Sequence, residues 1–437
     1  MKGKVRSLLI GLSVFGVLLS AACAPQAQAT QAGGTPSGTV KVLAMQQAGP
    51  TPDEMNAIVA KFNDANPQIK VEIEYVAYDS LHDKIVTSMA ANPPSYDAIL
   101  VDDIWYAEFA KSGYLWDVTG KISQDVKDKV FPAAWDVTTV NGRIYGMPWL
   151  LDQKYFYYNK DILQKAGFNA PPATWEEMMA QAKAIKEKQL VEYPVVWSWG
   201  QAEAVICDFV TLLYGNGGRF VDDQGNPAFN DTKGVATLQW MVQTVKDGIS
   251  NPASASYVEE DVRNVFSQGK AAFATNWVYM FDLANFNAQE SQVTGKVGMS
   301  LMPGFQDGGV KSATINGSMG FSAIDKSPNR EAAWQFIQFL TSEAIQKEYS
   351  AHLLPVWQGN YEGQPMQDLM ALNPSNAVTV PMFKEQLPYA HVRPKVPYYL
   401  EGSKALQLAI QQALAGQKTP EQALNDAAAT WKELAAK

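Results

Sequence analysis

The sequence predicts an α/β fold, on two observations. Strand and helix signals alternate along the first hundred residues, and the helices open on recognisable capping sequences. Residues 39–45 form a short apolar strand. Thr51, Pro52 and Glu54 then supply an N-cap, a proline for the first turn and the acid of a capping box. Met55, Ile58, Val59 and Phe62 recur at helical spacing, and Asn66-Pro67 ends the helix. Ile69, Val71, Ile73 and Tyr75 alternate with polar residues, the pattern of a half-buried strand. Leu81, Ile85 and Met89 mark a second helix, stopped by Asn92-Pro93-Pro94, and residues 98–101 are a third strand running into Asp102-Asp103. Order β-α-β-α-β implies a mostly parallel, doubly wound sheet flanked by helices, with ligands beyond the carboxyl ends of the strands. Two further capping boxes are expected at Thr174–Glu177 and Thr419–Gln422, and a turn over residues 222–227.

The N-terminus reads as an export signal. Lys2, Lys4 and Arg6 precede an uncharged run over residues 7–22, shorter than the ~18 apolar residues of a spanning helix. Small residues before Cys23 resemble the lipobox of bacterial lipoproteins, which implies a lipidated Cys23 at the start of the mature chain. Residues 1–22 are then the signal peptide, and 23–38, rich in Ala, Gln, Thr, Pro and Gly, a flexible tether. Loss of the three basic residues takes the formal charge from −9 to −12. An acidic chain without a basic block argues against nucleic acid as a partner. With Cys23 assigned to the lipid, Cys207 stands alone and an internal disulfide is excluded.

Catalytic and cofactor signatures are missing. His82, His352 and His391 are dispersed, with no HExxH, no P-loop and no GxSxG. No cofactor and no metal is expected, and nothing argues for an enzyme. The chain is rich in rings, with 12 Trp, 18 Tyr and 18 Phe. Trp105, Trp149, Trp197, Trp199, Trp277 and Trp357 stand beside polar residues in predicted loops. Flat rings pack on the C–H faces of sugars, and nearby polar groups bond the hydroxyl rim. Residues 271–273 read as a buried strand that delivers Asn276 and Trp277 to its carboxyl end.

Several stretches together resemble the sugar-binding extracellular solute-binding proteins of ATP-binding-cassette importers. They are residues 39–62, 96–119 with "KSGYLWDVT", "NGRIYGMPWLLDQKYFYYNKDIL" at 141–163, "PPATWEEM", "GKAAFATNW" at 269–277, "NGSMGFSAIDKSPNREAAWQFIQFL" and the terminal "RPKVPYYLEGSKALQLAIQQALAGQKTPEQAL". The resemblance implies two α/β lobes of the periplasmic-binding type around a hinge, roughly 39–150 with 320–375 and 151–319 with 376–437. Ligand, most simply a sugar, would be closed between the lobes and passed to the permease by a monomer outside the cytoplasmic membrane. It further implies contacts from Gln46, Asp103, Trp105, Asp152, Trp277, Gly317, Ser318, His391 and Arg393, with Trp199 and Trp357 added for their rings. A tryptophan that the family's maltose-binding member uses in its last segment aligns near Ser403, which implies that this contact is lost and that the pocket is not a copy of the maltose-binding one. The same fold could instead take a polyamine, a glycerophosphodiester or a metal chelate, and an exported carbohydrate-active enzyme is the remaining alternative.

Overall fold

The structure, a computed structural model, describes residues 36–46 and 49–437. The signal segment, Cys23 and the tether up to residue 35 lie outside the described residues. Nine strands build the two principal sheets: β1 (Gly38–Met45), β2 (Ile69–Val76), β3 (Ala98–Asp102), β4 (Met147–Leu150), β5 (Tyr155–Asn159), β6 (Val195–Val196), β7 (Phe273–Asn276), β8 (Val297–Ser300) and β9 (Met319–Ala323).

The first sheet has the order β2-β1-β3-β9-β4. Its βαβ units behave as the alternation dictates: Thr51 closes a capping box with Glu54, Met55, Ile58 and Phe62 are buried, and β2 returns parallel to β1. Strand β3 is also parallel to β1, but β9 runs antiparallel to both β3 and β4. The second sheet, β8-β5-β7-β6, has two antiparallel pairings and one parallel. The two-lobed α/β class therefore stands, while the sheets are mixed rather than mostly parallel. The parallel rule applies to strands joined by a local helical crossover. Strand β9 arrives instead from the neighbourhood of the second sheet, and β5 follows β4 after only four residues, so neither is bound by it.

The segments between the sheets are laced together. Gln153 bridges Asn316, the Asn316 N–H donates to the His391 carbonyl at 2.8 Å, and Thr314–Ile315 pairs in parallel with Ala390–His391. At Thr174 the expected box is half formed. Thr174 Oγ1 caps the Glu177 N–H, but the Glu177 carboxylate accepts from Ala173 N, one residue outside the cap. The Thr419 box is complete. At 222–227, Asp222 accepts from the N–H groups of Gln224 and Asn226 and closes the turn.

Candidate functional site

Because β1, β2, β3 and β4 end on one edge of the first sheet and β9 begins there, five strands deliver residues to a single rim. Met45, Tyr78, Asp102, Leu150, Gly317 and Met319 come from it. The facing wall comes from the second sheet, where β7 runs out into Trp277 and the following helix Tyr279–Phe286 begins. Between them lies a cavity of about 250 Å³, also lined by Asp79, Asp152, Glu203, Cys207, Glu259, Glu260, Tyr279, His352 and Arg393.

Arg393 is the floor's organising group, only 2 % exposed. Its Nη2 donates to Asp102 Oδ1 at 3.0 Å and to Asp103 Oδ1 at 2.6 Å, and its Nη1 to Glu203 Oε1 at 2.9 Å. Tyr78 donates its hydroxyl to Asp102 Oδ2 (2.9 Å), while Tyr399 and Ser403 donate to the two oxygens of Glu203 (2.6 Å each). One guanidinium thus ties the end of β3 to the helices Glu203–Gly215 and Tyr399–Leu414. Burial raises the Asp103 and Glu203 carboxyls above the usual range, and Arg393 pulls both back. A buried ion cluster of this kind contributes position more than stability.

At the wall, the benzo edge of Trp277 packs against Gly317. A Cβ there would sit 2.2 Å from Trp277 Cη2, so glycine is required for the approach. The indole N–H donates to Glu259 Oε1 at 3.3 Å, and the Trp277 carbonyl accepts from the Tyr157 hydroxyl at 2.7 Å. Behind the ring, fully buried Lys154 donates to Asp208 Oδ1 (2.7 Å) and Ser198 Oγ (2.8 Å), with its Nζ 5.5 Å from the indole centre. Burial opposes the charge on Lys154, and Asp208 and Glu259 more than restore it. Asp152 accepts from the N–H groups of Gln153 (2.8 Å) and Val278 (3.4 Å). Burial lifts its carboxyl to about 7 against those two bonds.

The expected site residues divide into three groups. Asp152, Trp277, Gly317 and Arg393 line the cavity together. Asp103 and Ser318 stand one layer back: Asp103 is bound to Arg393, and Ser318 Oγ accepts from the Asp152 N–H at 3.2 Å. The rest stand elsewhere. Trp105 is buried under Tyr78, stacked at 5.3 Å. Trp199 stacks on Trp197 at 4.9 Å inside the hydrophobic core. Trp357 is buried with Val356 and Tyr361, its N–H on the Thr341 carbonyl. His391 stacks on Tyr214 at 3.8 Å. Gln46 is exposed at the end of β1. The large rings went to the interior because nothing else removes so much apolar surface from water. Arg393, expected to donate to ligand, already has both Nη atoms engaged by protein carboxylates. Tyr78, Glu259, Glu260, Tyr279 and His352 also line the cavity, without a motif that marks them. A signal existed for three of them: Tyr78 follows β2, and Glu259 and Glu260 open a helix, both positions at the ligand edge of the fold.

The model of the bacterial extracellular solute-binding protein family matches residues 48–347. Among solved structures, maltose-bound MalE3 of T. maritima is similar at 32 % identity and a TM-score of 0.81, covering 91 % of this chain and 99 % of that one. An ABC-transporter solute-binding protein of Thermotoga lettingae bound to α-D-tagatose is similar at 25 % identity and a TM-score of 0.81, covering 91 % and 100 %. The mannitol-binding protein of Pseudomonas aeruginosa is 24 % identical over 300 residues, 67 % of each chain.

Proposed function

The chain belongs to the bacterial extracellular solute-binding protein family, and from that premise we propose that its ligand is a neutral sugar or sugar alcohol held between the two sheets. Its role is that of the solute-binding component of an ATP-binding-cassette importer, working outside the cytoplasmic membrane and serving a permease. The reading of the ligand is carried by one observation: the cavity joins rings to acceptors while its cations are already engaged. Trp277, Tyr78 and Tyr279 offer apolar faces, and Asp79, Asp152 and Glu259 offer carboxylate oxygens to hydroxyl donors. The two cationic lining residues are both occupied, Arg393 by three carboxylates and His352 by Glu54 and Asp282. A phosphorylated or carboxylated sugar would meet carboxylates without a free cation, which costs affinity. The maltose and tagatose held by two of the neighbours support the same class.

A cationic solute such as a polyamine is the second reading, favoured by the carboxylates Asp79, Asp152, Glu259 and Glu260 around the cavity. The three rings, which pack on C–H faces, favour the neutral ligand. The lobes are taken as 39–150 with 320–375 and 151–319 with 376–437, closing around ligand as a monomer, with Cys23 as the lipid anchor. A thermal-shift panel of maltose, tagatose, mannitol, glucuronate and spermidine tests the ligand class. A true ligand at a hundredfold excess over Kd adds about 2.7 kcal/mol of stability. Stabilisation by glucuronate or spermidine but by no neutral compound overturns the reading.

A further inference from the structure

His352 is the cavity residue whose surroundings the ligand-binding role does not explain. It lies in the turn after helix Glu343–Glu348 and lines the cavity. Its Nδ1 is 3.1 Å from Glu54 Oε2, and its Nε2 is 3.2 Å from Asp282 Oδ2. Glu54 belongs to helix Pro52–Ala65, which packs on the first sheet. Asp282 belongs to helix Tyr279–Phe286, which packs on β8 of the second. One imidazole therefore spans the cleft, with a carboxylate from each side.

A neutral imidazole carries one N–H and one lone pair. Facing two carboxylates, it satisfies one and turns its lone pair toward the other. Only the doubly protonated ring donates to both, so the geometry requires the cation. We infer that Glu54, His352 and Asp282 form a proton-dependent clasp that holds the two lobes closed, so that closure of the cleft is coupled to proton uptake by His352. The clasp deepens the solute-binding reading, since it regulates the same cleft.

The environment agrees. The three side chains are between 13 % and 29 % exposed. Burial opposes the charge on His352, but its hydrogen bonds to Asp282 and Glu54 outweigh it and lift the ring to about 9. The same pairing holds Glu54 below the usual carboxylate range against its own burial. The other acidic and basic groups around the cavity are Asp79 on helix Tyr78–Met89, Glu259 and Glu260 on helix Glu259–Ser267, Asp152 at the wall, and the Asp102, Glu203 and Arg393 floor, while burial holds the protons on Tyr78, Tyr279 and Cys207. On the side of its own turn, Glu348 pairs with Lys61. Arg393 is neutralised by its own carboxylates, so the field at His352 is negative on balance.

Opening the cleft separates His352 from at least one carboxylate, and its pKa falls toward the ordinary 6.5. The sign follows. Below about 6.5 the ring is charged in both states and the clasp is at full strength. Between the two values closure takes up a proton, and above about 9 the ring is neutral in both states and the clasp is lost. Each unit between the open and closed values is worth a factor of ten in the closed-to-open ratio.

Single-molecule energy transfer on the full chain without ligand tests this. Donor and acceptor dyes are coupled through non-natural residues at exposed Val86 and Leu408, on opposite lobes. The closed-to-open ratio should fall about tenfold or more between pH 7.5 and pH 9.5, a window chosen above the Asp152 carboxyl at about 7, and His352→Gln should make it flat there at the high-pH value. Should His352→Gln fail to fold, Glu54→Gln, which keeps the capping box, should halve the span of the response in logarithmic terms. A flat profile in the wild type, or the same profile in the variants, overturns the clasp. Saturating maltose is then added as a probe. If pH moves the lobes and maltose does not, the clasp stands and maltose is excluded as the ligand.

Discussion

Arg393→Gln should be the most costly single change in the cleft. The guanidinium meets three carboxylate oxygens at 2.6–3.0 Å, and all four groups are at most 8 % exposed on the side chain. Without it, Asp102 keeps the Tyr78 hydroxyl and Glu203 keeps Tyr399 and Ser403, but Asp103 is left facing Asp102. Removing one member of a buried ion cluster costs about 3–5 kcal/mol, because the remaining charge stays buried without compensation. Asp103 and Glu203 already bind protons more readily folded than unfolded. The variant strengthens that tendency, so its penalty should be largest at neutral pH and shrink as the pH falls toward 4.5, where protonation replaces the missing cation. Urea denaturation of both proteins at pH 7 and pH 4.5 measures this. A loss below about 1 kcal/mol at pH 7, or a gap that widens at pH 4.5, would show that Arg393 does not compensate these buried carboxylates.

Trp277→Ala should weaken ligand binding by about 1–3 kcal/mol, by analogy with base–aromatic stacking, while urea denaturation shows little change. An undiminished affinity in titration calorimetry would make the ring a packing element. Gly317→Ala drives a methyl into the indole, which lies 2.2 Å from the added Cβ, so it should cost about 1–3 kcal/mol in stability or affinity. In the Trp277→Ala background the same change should be nearly silent, and additive effects in the double variant would rule out that contact. Cys23→Ser should release the protein from the membrane fraction, and retention there would place the anchor elsewhere.

The local order of the first hundred residues was legible because it is written in short-range terms. Thr51 and Glu54 close their box three residues apart, and Phe62 points inward because it shares a face with Met55 and Ile58. Trp277 was legible for a similar reason, since Phe273–Asn276 is a strand and the next residue must emerge at its carboxyl end. Strand direction in β5 and β9 was not, because it is set by which lobe the chain has just left. The other tryptophans show the limit of composition. Trp199 and Trp277 both adjoin polar residues in sequence, yet Trp199 is fully buried against Trp197 and Trp277 stands at the cavity. Only packing separates them. Arg393 meets Glu203 and Asp102 across separations of 190 and 291 residues, and no spacing rule links them. The Glu54–His352–Asp282 contact is equally remote, with 298 and 70 residues between partners.

Native mass spectrometry of the protein purified without denaturation reads the bound solute itself. A solute retained between the lobes through purification is identified in class by its mass. The expected result is a retained mass equal to a hexose, a hexitol or a short neutral oligosaccharide, lost on unfolding. A retained polyamine, sugar phosphate or uronate would contradict it.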